Sequence, residues 1–140
     1  MPAKSLLAQL MARQEGFGIK GAIPTVRHNP GDLRHSPHSQ HPGGPEHAND
    51  VGTIDNDDDG WADLERQLQW YANEGLTLRQ MINVYCGLPA NASMGMQAPD
   101  NNNVKAYLAF VCNGLGMPST APVKLALAIP ASKTPVEPTT

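Results

Sequence analysis

Ser5-Leu6-Leu7-Ala8-Gln9-Leu10-Met11-Ala12-Arg13-Gln14-Glu15-Gly16-Phe17 orders the rest of the chain around itself. Ser5 offers a side-chain acceptor to cap a helix, and Leu6, Leu7, Leu10 and Met11 follow it at helical spacing. The pattern runs to about Glu15, where Gly16 and Gly18 stop it. One carboxylate is left at the C-terminal end of an apolar helix.

Residues 18–54 lose that periodicity and are dense in Gly, Pro, His, Asn and Ser. They predict loops with one short hairpin, Gly52-Thr53-Ile54 serving as a strand fragment. A loop of this length inside a small domain points to function, not mere connection. Helical signal returns with Asp59 as the expected N-cap. Trp61, Leu64, Leu68 and Tyr71 then form a stripe that ends at Gly75. Thr77 is expected to cap a helix over 78–85, with Leu78, Met81, Ile82 and Tyr85 on one face and Gly87 and Pro89 beyond it. Asp100 or Asn101 opens a last long helix through Val104, Leu108, Val111 and Cys112, stopped by Asn113-Gly114. From Pro118 the prolines break up the chain, with Val123 to Ile129 expected as a docked strand or short helix. The expected organisation is a domain over 1–117 and a Pro-rich tail over 118–140. The expected class is mainly α, with an irregular insertion after the first helix.

Composition narrows the function classes. The 140 residues carry 13 acidic and 10 basic side chains, a net charge of −3 at pH 7, which argues against a nucleic-acid binder. The bulk field does not favour an anionic wall either, so wall binding would be local. No apolar run is long enough to span a bilayer. Met1-Pro2-Ala3-Lys4-Ser5-Leu6-Leu7 lacks an h-region, so the chain is expected to be made in a cytoplasm and to reach any periplasmic substrate by another route. Cys86 and Cys112 sit in apolar helical contexts and read as small hydrophobes. No cofactor is expected.

Glu15 has the placement of a glycosidic acid. Such an acid must hold its proton near neutral pH, which burial achieves by disfavouring the charged form. The negative end of the helix dipole acts the same way, and Phe17 with the preceding leucines can dry one side. On helix one alone, a solvated helix-end glutamate is the ordinary reading. Asp55-Asn56-Asp57-Asp58-Asp59-Gly60 resembles the first half of a calcium loop, with Asp55, Asp57 and Asp59 as its ligands, but Arg66 stands at the twelfth position. An acidic helix start is the better reading, and no metal is assigned. His28, His35, His38, His41 and His47 fit no standard zinc spacing and are expected as solvated loop residues. With Arg27 and Arg34 they can meet anionic wall groups in acid. Among Trp61, Trp70 and Tyr71, which sit at helical spacing and read as core, Trp61 is the better placed to stack on a sugar.

The ordered blocks carry a resemblance. Glu15-Gly16-Phe17, Arg27-His28-Asn29-Pro30-Gly31-Asp32-Leu33-Arg34, Gly60-Trp61-Ala62-Asp63-Leu64, Gly75-Leu76-Thr77-Leu78 and Asn101-Asn102-Asn103 with Tyr107 span residues 11–116. This series resembles a lysozyme-like family of phage and prophage muralytic proteins, similar to lytic transglycosylases of the goose-type lysozyme superfamily. Asp32 and the pair Arg27-His28 stand where that family commonly has asparagines. The resemblance implies an α+β lysozyme-like fold, peptidoglycan glycan strands as substrate, and Glu15 as catalytic acid. It implies that Asn29 and the Pro30-Gly31 turn shape the cleft wall, and that Asn29, Asp32, Trp61, Asn102 and Tyr107 contact substrate. Other virion proteins are the further partners it allows. Two routes follow from one acid. In the transglycosylase route, which the resemblance favours, the substrate's N-acetyl group assists and the sugar's own primary hydroxyl closes an anhydro ring. In the hydrolase route a second carboxylate, drawn from Asp32, Asp50, Asp55 or Asp57, activates water. The alternative is a virion structural part that keeps the fold with weak or lost activity.

Overall fold

Helix α1 (Leu6–Glu15) has both ends closed by the residues the pattern singles out. Ser5 is extended and its side chain accepts from the Ala8 N–H at 3.2 Å. At the other end Gly16 turns left-handed at φ 98°, the Phe17 N–H reaches the Ala12 carbonyl at 2.9 Å and the Gly16 N–H reaches Arg13 at 3.1 Å. That paired closure needs a positive φ, which glycine takes without a Cβ penalty. The computed structural model describes residues 3–42, 45–47, 50–93, 98 and 103–133, and within them the fold is mainly helical.

The elements that follow are α2 (Ile23–Val26), a 3₁₀ turn at Pro45–His47, α3 (Asp57–Asn73), α4 (Leu78–Tyr85), α5 (Val104–Leu115) and α6 (Val123–Leu127). Helix α1 packs on α5, α3 and α6, and α4 packs on α5. Leu7, Ala8, Leu10, Met11 and Ala12 are all buried, a wider face than a surface helix shows, so α1 is the core helix. Thr77 and Gln80 form a reciprocal cap at the start of α4, with N–H to side-chain distances of 3.2 and 3.0 Å.

Several expectations change. Helix α3 begins at Asp57 with Asn56 as cap, not Asp59; the Asn56 side chain accepts from the Asp59 N–H at 2.9 Å. The three aspartates then fill the first turn, where the helix dipole favours negative charge. Asp100 and Asn101 lie outside the described residues, and Asn103 caps α5. Helix α5 also runs through Asn113-Gly114 to Leu115 and stops at Gly116, φ 67°. Gly114 serves packing instead: a Cβ there would stand 2.4 Å from Leu10 Cδ2, so its absence lets α1 and α5 close up. The hairpin reduces to one bridge, Gln40 with Thr53, and no longer strand forms among the described residues.

Residues 118–132, expected to begin a tail, are fastened to the bundle. Pro122 bridges Thr77, and Val123 and Ala126 on α6 are fully buried. The Leu6 N–H then bonds the Ile129 carbonyl at 3.1 Å, and Gln9 exchanges two hydrogen bonds with the Ser132 backbone at 2.9 and 2.6 Å. Cys86 is buried and Cys112 half-buried, and neither is in a disulfide. No helix among the described residues is long and apolar enough to cross a membrane.

Candidate active site

Glu15 ends α1 beside an aromatic ladder that crosses the bundle. Tyr71 on α3, Tyr85 on α4 and Tyr107 on α5 stand edge to face, with ring centres 6.4 and 6.3 Å apart. The buried Tyr107 hydroxyl donates to the Glu15 carboxylate. Burial first, and then the Glu15 charge, push the hydroxyls of Tyr107 and Tyr85 well above the ordinary tyrosine range, so both remain O–H donors. Tyr107 therefore stands behind the carboxylate, which it helps to hold.

The facing wall comes from the turn after α2. Asn29 is wholly buried, and its amide donates to the carbonyls of Leu33 at 2.7 Å and Gly52 at 2.9 Å while its oxygen accepts from the Leu33 N–H at 3.0 Å. Its side chain is fully engaged with backbone, so Asn29 builds the wall and does not meet a ligand, a correction to its expected substrate contact. The Tyr85 hydroxyl donates to the Gly31 carbonyl and seats the turn on α4. Gly60 explains its own block: a Cβ there would sit 2.1 Å from the His28 carbonyl oxygen and 2.7 Å from Pro30 Cδ. The start of α3 thus presses directly on the Asn29-Pro30 turn.

Between these walls lies a recess of about 170 Å³, lined by Glu15, Asp32, Arg34, Val51, Tyr71 and Tyr85 among others. Five separated stretches of chain meet there. The chain matches no family model, no curated protein and no solved structure. The site therefore stands on its own residues and their geometry.

Not every expected residue joins Glu15. Trp61 packs edge-on against Phe17 at 5.2 Å and borders a separate groove of about 580 Å³ with Lys4, Asp58, Glu65 and Arg66. Its place on the outer side of α3 removes it from the Glu15 recess. Asn102 lies outside the described residues. In the acidic run Asp57 bonds His28 Nδ1 at 2.7 Å and Asp55 accepts from Gln40 at 3.4 Å. Asp59 takes part in the α3 cap. No cluster of three or more metal-ligating side chains occurs among the described residues.

The histidines are not simply solvated. His38 Nδ1 meets Asp63 at 2.6 Å, and that buried carboxylate also accepts from Ser36 Oγ at 2.6 Å and the His38 N–H at 2.9 Å. His47 Nδ1 meets Asp50 at 2.9 Å, and His41 Nε2 donates to the carbonyls of Arg34 and Asp50 at 2.6 and 3.0 Å. Since Arg34 and Val51 line the recess, these side chains brace its outer wall. The hydrogen bond to Asp63 raises His38 above its ordinary 6.5, and the hydrogen bond from His47 lowers Asp50 below its ordinary 3.8. Asp63 had no sequence signal beyond its place in the Gly60 block.

Proposed function

We propose that the protein cleaves the glycan strand of peptidoglycan at the bond between MurNAc and GlcNAc, with Glu15 as general acid. The supporting observation is the site of that carboxylate. It stands at the end of a core helix, receives the Tyr107 hydroxyl, and opens on a recess walled by two further tyrosines. A carboxyl group at the edge of a concave site whose wall is part aromatic can deliver a proton to a leaving glycosidic oxygen. The sequence blocks that resemble muralytic proteins supply the substrate class. They also supply the setting, a phage or prophage protein made in the host cytoplasm and acting at the cell wall.

The test is a zymogram on purified peptidoglycan with the wild type and Glu15→Gln, each checked for folding by circular dichroism. The wild type is expected to clear the gel, and the variant to lose about 100-fold or more of the activity. Clearing that persists in Glu15→Gln rejects the assigned acid. A folded wild type that clears nothing favours the structural virion part.

A further inference from the structure

We propose that Asp32 is the second carboxylate of this recess and takes a proton from an attacking water, so that cleavage proceeds as hydrolysis. This rests on the reading of Glu15 as the acid. The aspartates eligible from sequence separate by position. Of the four, Asp32 lines the recess that Glu15 lines.

Its backbone supports the assignment. Asp32 has φ 52°, in the left-handed region that few non-glycine residues occupy and that Asn, Asp and His enter most readily. The surroundings impose it: the Asp32 N–H bonds the Asn29 carbonyl at 2.9 Å, the next residue is tied to Asn29 Oδ1, and Tyr85 holds Gly31 in front. A turn so over-determined would be easier with glycine. A carboxylate is thereby fixed in the lining of the recess that Glu15 also lines, and unusual backbone of this kind gathers at functional clefts. Both charges also bear on the same Tyr85 hydroxyl, consistent with a shared field.

Two carboxyl groups flanking one small site are the donor set for hydrolysing a glycosidic bond. The step balances as follows. Glu15 gives its proton to the leaving oxygen as the bond from the anomeric carbon to that oxygen breaks. The water oxygen bonds to the anomeric carbon, and its displaced proton goes to Asp32. One water is consumed, a reducing end appears, and exchange with solvent resets both carboxyls. The single-carboxylate route consumes no water and leaves an anhydro end.

Mass spectrometry of muropeptides released by the full-length wild type decides between them. Hydrated ends that borohydride reduces are expected, and anhydro ends overturn the role of Asp32 while leaving Glu15 as acid. Asp32→Asn, which suits the left-handed turn, is expected to keep its unfolding temperature and lose about 100-fold in kcat. Azide, an anionic nucleophile that needs no base, is expected to restore turnover to this variant with a glycosyl azide as product. A folded Asp32→Asn at the wild-type rate also overturns the proposal. A wild type that releases no fragments at all overturns both assignments.

Discussion

The helical bundle and the insertion between α2 and α3 are held together by opposite means. Around α1 the closure is apolar, with Leu7, Met11, Leu64, Leu68 and Val111 essentially without exposure. Among the described residues of 27–54 there is little apolar burial beyond Ile54, and the chain is pinned by polar cross-links: the Asn29 amide, the His38–Asp63 pair, and His41 on two carbonyls. Apolar burial scales with area and is not directional, whereas a buried amide is strict about its partners. The bundle sets the position of Glu15, and the insertion sets what faces it. Stability and specificity are thus assigned to separate regions.

This contrast can be broken from either side. Leu7→Ala removes a fully buried side chain from the core helix and is expected to cost about 2–5 kcal/mol by denaturant unfolding. A loss well below that range would mean that α1 is not the centre of the core. Asn29→Ala is expected to cost about 1–3 kcal/mol, because the Leu33 N–H and two carbonyls lose their partner. It should also lower wall-cleaving activity through Arg34 and Val51, and unchanged stability would deny Asn29 its central place. Tyr107→Phe keeps the ring in the ladder and removes the donor to Glu15, with an expected drop in kcat of about tenfold. An unaltered rate would make the tyrosine a packing residue alone.

The smallest effect sharpens the comparison through pH. His38 faces Asp63, Asp59 and Arg66, and its folded-state pKa is raised, with the Asp63 hydrogen bond as the largest cause. A raised value means that the stabilisation is fully present below 6.5 and fades as pH rises through the higher folded value. Asp50, lowered by His47, has the opposite sense: its contribution is present above 3.8 and is lost as pH falls through the lowered value. Protection factors of the amides in residues 34–41, with the intrinsic pH dependence of exchange divided out, should therefore be highest in mild acid. His38→Gln should abolish their fall towards alkaline pH while leaving α1 unaffected. Protection factors independent of pH in the wild type would remove the histidine as a brace.

What was legible follows the same divide. Ser5, Gly16 and Thr77 act within a few residues of themselves, so their roles as caps and stops are written locally. Gly114 has the same local look, but its reason is Leu10, which is distant in sequence, and so the expected stop falls two residues early. The histidines could not be paired in advance, since His38 and Asp63 are 25 residues apart and no period links them. Proline frequency read as a tail after Pro118, while Pro122 in fact opens α6 and bridges Thr77. Of the expected site, Glu15 and Asp32 share the recess and Tyr107 supports it from behind. Helical spacing gives the stripe on which Trp61 lies but not which groove that stripe borders.

The clasp between Gln9 and Ser132 joins positions 123 residues apart. A ribosome must therefore deliver the chain as far as Ser132 before the helix that ends in Glu15 can complete its outer hydrogen bonds. Chains cut short before residue 118 would emerge with that edge bare, and a nascent protein would carry its acid on an unfinished helix.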